Sequence, residues 1–99
     1  MGAIKENVYS KEETELFMIG RAIAHPARVK MMIDLLAEST YRNTDLSKLF
    51  GMAPSSIKKH IEMLKDAELV GINYSLHYYE ISLSPKGRKW SELISKGPL

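Results

Sequence analysis

The hydrophobic pattern of this chain changes its period near residue 69, and that change restricts the folds it can adopt. Before that point, apolar residues recur every three or four positions, as they do along one face of a helix. In residues 70–74 and 79–83 they recur at every second position, which predicts two β-strands with residues 75–77 at the tip of a hairpin. The chain is therefore predicted to be an α+β fold, mainly helical, with one small hairpin over residues 69–83.

The segment before the hairpin, residues 44–66, has the start and stop residues of two short helices joined by a tight turn. Thr44 is predicted to cap the first helix, which ends at Gly51. Pro54 begins the second helix, which reaches about residue 66. A short helix, a turn containing glycine and a second helix are typical of a helix-turn-helix. The hairpin that follows makes the predicted fold a winged helix-turn-helix.

Two further helices are predicted upstream of this motif. Ser10 and Glu13 have the spacing of a capping box, so the first helix is expected over residues 10–24. Pro26 begins the second, over residues 26–38, and a short extended piece is expected around Tyr41. The second helix is predicted to be enclosed, because it is apolar on two sides. One side carries Val29, Ile33, Leu36 and Ala37, and the other carries Met31 and Leu35.

The last helix is predicted over residues 85–96, with Ser84 as its cap, Pro85 at its first position and Gly97-Pro98 as its stop. The first and last helices together carry more apolar surface than one small core absorbs, so both are predicted to form a dimer interface. The alternative is that Trp90 packs only against the helices of its own chain. The residues assigned to the interface are Leu16, Phe17, Ile19, Ile23, Trp90, Leu93 and Ile94.

Composition narrows the class of protein further. Ninety-nine residues suit a single domain, with residues 1–9 expected to be a flexible N-terminus. The chain has no cysteine, which excludes disulfides and thiolate metal sites and fits a reducing cytoplasm. No apolar run approaches the ~20 residues of a membrane span, so no membrane partner is expected. The net charge of +2 is too small to indicate a polyanionic partner by itself.

Residues 44–64 resemble the helix-turn-helix of the arsenical-repressor (ArsR-like) winged-helix family. The similarity continues at residues 24–28, at the start of the second helix, at residues 64–70, which lead into the wing, and at residues 79–87. It covers roughly residues 15–90 of the chain. The resemblance implies a dimeric, DNA-binding transcriptional regulator of bacterial or archaeal type, with a two-fold interface made by the first and last helices.

The second helix of the motif has the pattern of a recognition helix. Ile57, Ile61 and Leu64 form its inner stripe, and short polar and basic side chains crowd the outer face near its N-terminus, which is the end that enters the major groove. This pattern predicts double-stranded DNA as the partner. The alternative is that these side chains form an ordinary solvated helix face. The residues assigned to the DNA interface are Thr44, Pro54, Ser55, Ser56, Lys58, Lys59, His60, Tyr74, His77 and Tyr78.

Two positions and the wing depart from the family pattern. Lys59 stands where the family often has arginine, and Ala53 stands where it often has a serine cap. Residues 71–83 contain no lysine or arginine, although many wings grip DNA with arginine. The aromatic residues of the wing are able to bind phosphates by hydrogen bonds or simply to pack the hairpin, and packing is favoured for Tyr79.

No metal, cofactor or catalytic centre is predicted. Residues 42–46 lack the thiolates of metal-binding relatives. Residues 85–99 contain no histidine and no aspartate, so the carboxylate–histidine pair that some relatives place on the last helix is missing. His25, His60 and His77 have no ligand spacing; His25 is expected to cap the second helix and His60 to lie partly buried beside the DNA face. Because no nucleophile elbow, no glycine-rich phosphate loop and no carboxylate pair set in an obvious cleft occur, the protein is not expected to be an enzyme.

The sequence thus predicts a cytoplasmic, sequence-specific repressor that binds a pseudo-palindromic operator as a homodimer and does not sense metals. Two other functions stay open. One is a winged-helix protein–protein interaction module without DNA binding of its own, favoured by the wing without arginine and the low net charge. The other is a sensor of an unknown small-molecule effector held in the dimer cavity.

Overall fold

The computed structural model describes residues 8–96 and has five helices and three short strands in that range. The helix-turn-helix occupies the middle of the described chain and the hairpin follows it, as predicted. Along the chain the elements are α1 (Lys11–Ala22), α2 (Pro26–Glu38), β1 (Thr40–Arg42), α3 (Asn43–Phe50), α4 (Pro54–Asp66), β2 (Val70–Tyr74), β3 (Tyr79–Leu83) and α5 (Pro85–Ser95).

The strands form one antiparallel sheet in the order β1-β3-β2. The extended piece expected around Tyr41 is confirmed as β1, which joins the hairpin as a third strand. Its register places Tyr41 opposite Ile81 and Ile81 opposite Ile72, a row that faces the core. The hairpin is closed by a 2.8 Å hydrogen bond from the Ser75 amide to the Tyr78 carbonyl. The predicted α+β winged helix-turn-helix fold is therefore confirmed.

The core lies where α2 and α4 meet the sheet. Met31, Met32 and Leu35 of α2 are at most 1 % exposed, so the methionines here fill the core. The predicted inner stripe of α4 is confirmed, since its three residues are also at most 1 % exposed. Leu46 of α3 is fully buried as well, and it fastens the first helix of the motif to the same core.

Three helices begin at a side-chain cap, as the sequence predicted. The Ser10 hydroxyl accepts from the Glu13 amide at 3.0 Å while the Glu13 carboxylate accepts from the Ser10 amide at 2.8 Å, a complete capping box. His25 Nδ1 accepts from the Ala27 amide at 3.0 Å at the start of α2. The Ser84 hydroxyl accepts from the Gly87 amide at 2.9 Å at the start of α5.

Two local predictions are wrong. Thr44 does not cap α3: the helix begins at Asn43 with Arg42 in the cap position, because the chain passes directly from β1 into the helix. Helix α2 is not enclosed on both sides, since Ile33 is 37 % exposed and Ala37 is exposed. Both sides of α2 are apolar, and only the side with Met31 and Leu35 is fully buried.

Helix α1 is shorter than predicted, and both ends of the chain lie outside the described residues. Helix α1 ends at Ala22, two residues before the predicted end, and the Arg28 side chain donates to the carbonyl groups of Arg21 and Ala22 there. Residues 1–7 and the predicted stop Gly97-Pro98 lie outside the described residues. Within residues 8–96, no helix has the length and apolar character needed to cross a membrane.

Glycine is required at two positions. Gly51 has φ +62° and turns the chain at the end of α3, as expected for the turn of the motif. Gly87 lies in the first turn of α5, where a Cβ atom would collide with the Leu69 carbonyl group. This close approach seats α5 against the base of the hairpin, at the end away from the tip.

Candidate nucleic-acid interface

Helix α4 separates its side chains sharply between the core and solvent. Ser55, Ser56, Lys58 and Lys59 are all exposed, and we refer to these four residues as the recognition surface. The same helix has its aliphatic residues in the core, so the outward side chains are held on a rigid support. This arrangement presents hydroxyl and ammonium groups together at the N-terminal half of an exposed helix.

The start of α4 is free of side-chain capping. Ala53 occupies the cap position and makes no side-chain hydrogen bond, and Pro54 fills the first helical position, as predicted. A helix N-terminus carries partial positive charge, and the lysines of the recognition surface add full charges one turn later. The potential over this end of α4 therefore favours an anion.

The first helix of the motif lies beside the N-terminus of the second. A hollow of about 230 Å³ lies between them, lined by Thr44 and Lys48 of α3 and by Pro54 of α4 among others. The turn that joins the helices is held by a 2.6 Å hydrogen bond from the Ser47 hydroxyl to the Met52 carbonyl. Two of the predicted interface residues, Thr44 and Pro54, are thereby brought together next to the recognition surface.

The wing supplies exposed aromatic and imidazole groups at its tip. Tyr74 is 68 % exposed and His77 is exposed, whereas Tyr78 is half-buried. Tyr79 packs against the core, as favoured from the sequence, and its burial raises the pKa of the phenol. The Tyr79 amide also donates to Asn43 Oδ1 at 2.9 Å, which ties the first residue of β3 to the first turn of α3.

The structure adds one basic residue that the sequence analysis missed. Arg42, the last residue of β1, places its guanidinium carbon 4.1 Å from the centre of the Tyr78 ring. Such a cation–π contact is typically worth about 0.5–1 kcal/mol at an exposed site. The available signal was an arginine at the end of an expected extended piece, but the pairing of that piece with the hairpin was not predicted.

His60 is half-buried, as predicted, and its contact with DNA stays a prediction. Its Nδ1 atom lies 2.9 Å from the Arg28 guanidinium, and its ring lies 4.4 Å from that of His25. Burial, followed by the charges of His25 and Arg28, lowers the pKa of His60. The imidazole is therefore a neutral acceptor in a polar contact between α2 and α4, with its half-buried ring turned toward Arg28 rather than toward the recognition surface.

The residues predicted to form a dimer interface fall into three groups. Leu16, Phe17 and Leu93 are 56 %, 64 % and 51 % exposed, and we call these three the terminal-helix surface. Ile19 differs from the prediction, because it is 3 % exposed within its own core and has no surface to offer a second copy. The other three are half-buried against the core of their own chain: Ile23, Trp90 and Ile94.

An open groove of about 1020 Å³ runs beside α1. Its apolar lining includes Tyr9, Phe17 and Met18, so it continues the exposed apolar surface of that helix. At its edge Lys86 pairs with Glu15 at 2.8 Å, and this hydrogen bond lowers the pKa of the Glu15 carboxyl. Among residues 8–96, no three histidine, aspartate or glutamate side chains come together in a way that could hold a metal ion.

Comparisons with known proteins agree with this architecture. Residues 25–71 match the family described as bacterial regulatory protein, arsR family. HlyU from Vibrio cholerae superimposes with a TM-score of 0.78 at 19 % identity, over 89 % of this chain and 96 % of that protein. The homodimeric winged helix-turn-helix DNA-binding domain Mb0332 from Mycobacterium bovis gives 0.76 at 16 % identity, over 97 % and 87 %. The antimony-specific transcriptional repressor AntR gives 0.72 at 16 % identity, over 97 % and 93 %.

No curated protein sequence matches this chain. At these identities the structural neighbours establish the fold alone. They place this chain among winged helix-turn-helix proteins, with α4 as the second helix of the motif.

Proposed function

We infer that this chain, which carries an ArsR-family winged helix-turn-helix, is a DNA-binding transcriptional regulator that binds a two-fold symmetric operator as a homodimer and represses by occluding it. The observation that carries this proposal is the division of α4 into a fully buried aliphatic side and an exposed recognition surface of two serines and two lysines. A helix that is fixed in this way can enter a major groove without disturbing the core.

The chemistry of the recognition surface suits duplex DNA. The ammonium groups of Lys58 and Lys59 attract phosphates and can also donate to the acceptor edge of guanine. Ser55 and Ser56 lie in the first turn, where short hydroxyl groups can reach phosphate oxygens or base edges. Because a lysine ammonium is a point charge, we expect base discrimination to come from the surface as a whole rather than from one bidentate contact.

The homodimer is proposed from the terminal-helix surface. Leu16 and Phe17 are adjacent on α1 and more than half exposed, and Leu93 is equally exposed on α5. Covering apolar area of this kind stabilises an association by roughly 25 cal/mol for each Å² removed from water. Two recognition helices related by a two-fold axis can then reach successive major grooves, about 34 Å apart. The similarity to the homodimeric Mb0332 domain supports the same assembly.

Regulation is proposed to be independent of metal. The chain has no cysteine, and Arg42, Asn43 and Thr44 occupy the segment where metal-binding relatives carry thiolates. Zinc, cadmium or arsenite added at stoichiometric concentration should therefore leave operator affinity unchanged. Saturable release of DNA by any of the three would contradict this part of the proposal.

Selection of bound duplexes from a random pool tests the proposed function. We expect a two-fold symmetric consensus, bound by two copies of the chain. Recovery of no consensus, together with no salt-dependent binding to random duplex, would overturn it. The exposed groove beside α1 would then favour the second candidate, a winged-helix module that binds another protein.

A further inference from the structure

The outer face of the sheet carries an arginine that contacts an aromatic ring. In the antiparallel register Arg42 of β1 is opposite Glu80 of β3, and Tyr78, two residues before Glu80, is its diagonal neighbour. The guanidinium carbon lies 4.1 Å from the centre of the Tyr78 ring. This contact restricts an otherwise flexible side chain.

The hydrogen-bonding edges of this guanidinium are free. Arg42 is exposed, and within residues 8–96 its side chain makes no hydrogen bond and no ion pair. Glu80 is its cross-strand neighbour, yet the two charged groups do not come within 4.0 Å. A planar fork of five N–H donors with one face on an aromatic ring still has its edges available for an anion such as phosphate.

Arg42 also lies at the junction of the two elements proposed to touch DNA. It ends β1 and directly precedes α3, whose first turn carries the exposed Thr44 next to the start of α4. On the other side its stacking partner Tyr78 belongs to the hairpin tip, and Asn43 holds the neighbouring Tyr79 amide. The helix-turn-helix and the wing are thus joined at the residue that carries the free charge.

We propose that Arg42, stacked on Tyr78, is a phosphate clamp that grips the DNA backbone between the recognition helix and the wing. The proposal rests on the proposed function and deepens it, because it names a basic residue that can bind phosphate beside a wing that has no lysine or arginine of its own. Residues 71–83 contain no lysine or arginine, and β1 brings one to the tip end of that hairpin from outside it. The ligand is one phosphodiester group of duplex DNA in each half-site.

Fluorescence anisotropy with a labelled duplex, repeated at several salt concentrations, tests the clamp. Arg42→Gln removes the charge and should weaken binding about 10-fold, with a salt slope shallower by about one for each clamp removed. Arg42→Lys keeps the charge but not the fork, so it should retain the slope and lose part of the affinity. Tyr78→Ala removes the ring that the Arg42 guanidinium contacts, and its affinity should fall between those of the wild type and Arg42→Gln.

Arg88→Ala is the matched control. It removes the same charge from the first turn of α5, at the base of the hairpin and away from its tip, and should leave affinity unchanged. Thermal unfolding of each variant distinguishes a role of Arg42 in folding stability from a role in phosphate binding. A lower Tm with unchanged DNA affinity for Arg42→Gln would overturn the clamp. If Lys58→Ala/Lys59→Ala weakens binding while Arg42→Gln does not, the clamp is wrong and the proposed function stands. Absence of binding by the wild type would overturn both.

Discussion

Helices α1 and α4 are nearly equal in length, with 12 and 13 residues, yet they distribute their side chains in opposite ways. Helix α1 begins at a complete capping box and leaves Leu16 and Phe17 more than half exposed. Helix α4 begins at Ala53 without any side-chain cap and keeps its aliphatic residues in the core. Helix α1 is closed at its N-terminus and exposes two large apolar side chains, whereas α4 is open at its N-terminus and exposes polar and charged ones.

This contrast indicates two different partners. Single exposed apolar residues are common on monomers, but Tyr9 and Phe17 line one continuous groove, which is typical of a surface that another protein covers. An open helix N-terminus beside Lys58 and Lys59 is suited to phosphate instead. We therefore propose dimerisation through the outer side of α1 and DNA binding through α4, and substitutions on one helix should leave the function of the other measurable.

The largest effect is expected from Lys58→Ala/Lys59→Ala. Loss of two cations from each recognition helix should weaken DNA binding by about 100-fold or more, with the salt slope shallower by about one for each phosphate that is no longer neutralised. Titration of a labelled operator measures both quantities. The matched control Lys11→Ala/Lys96→Ala removes the same charge from the terminal helices and should bind normally. Equal losses of affinity for the two double variants would show that only net charge matters.

The second effect tests the apolar side of the comparison. Phe17→Ser should shift the protein toward monomer in sedimentation and weaken operator binding roughly 10-fold, while a substitution at so exposed a site changes folding stability by about 0.5 kcal/mol or less. Leu49→Ser is the control, because Leu49 is 51 % exposed on α3 and lies outside the terminal-helix surface. Wild-type protein that sediments as a monomer while binding its operator fully would contradict the dimer.

Trp90→Ala is a less direct test of the same interface. The Trp90 indole is half-buried against its own core, so truncation should destabilise the fold itself by up to about 3–5 kcal/mol. Phe17→Ser separates assembly from folding because it removes little buried surface.

A third prediction concerns the N-terminus of α4, where a substitution at Ala53 can add the missing side-chain cap. Ala53→Ser should add a cap and raise the free energy of unfolding by about 1 kcal/mol, or roughly 4–8 °C in Tm for a domain of this size. Ala53→Asp should stabilise the fold similarly but weaken DNA binding, because its carboxylate repels the phosphates expected at that end. Thermal melts and operator titrations on both variants measure this difference. Undiminished affinity for Ala53→Asp would place the DNA elsewhere.

The smallest effect is a pH dependence of stability from the contact between α2 and α4. The pKa of His60 is lowered in the folded protein, so below about pH 6.5 the unfolded chain binds the proton more readily. His60 thus contributes stability above that pH and loses it as the pH falls further. Urea unfolding at pH 7.5 and 5.5 should show a decrease for the wild type that becomes smaller in His60→Gln. An equal decrease in both proteins would contradict the assignment to His60.

Most of the fold could be predicted from the sequence because it depends on residues that are close together in the chain. The caps at Ser10, His25 and Ser84 were predicted because a cap is decided by residues two or three positions apart. The recognition surface was predicted for the same reason, since α4 has a single apolar stripe and leaves one choice of inner face. Gly51 likewise marked the turn.

The remaining features depend on tertiary packing. Helix α2 is apolar on two sides, and only its packing against the rest of the chain decides that Met31 and Leu35 are buried while Ile33 stays partly exposed. Ile19 shares the helical spacing of Leu16, yet it points into the core of its own chain. The stacking of Arg42 on Tyr78 joins residues that are far apart in the chain through the β1–β3 register, which no local pattern encodes.

The salt dependence of DNA affinity for the wild-type protein tests the central claim most directly. With Lys58 and Lys59 from each of two protomers on phosphates, log K against log salt concentration should have a slope of about −4, and steeper if Arg42 also binds phosphate. A selected operator and a random duplex should give similar slopes, with the operator bound more tightly at every salt concentration. A slope near zero, or no binding to either duplex at low salt, would contradict the assignment of α4 to DNA.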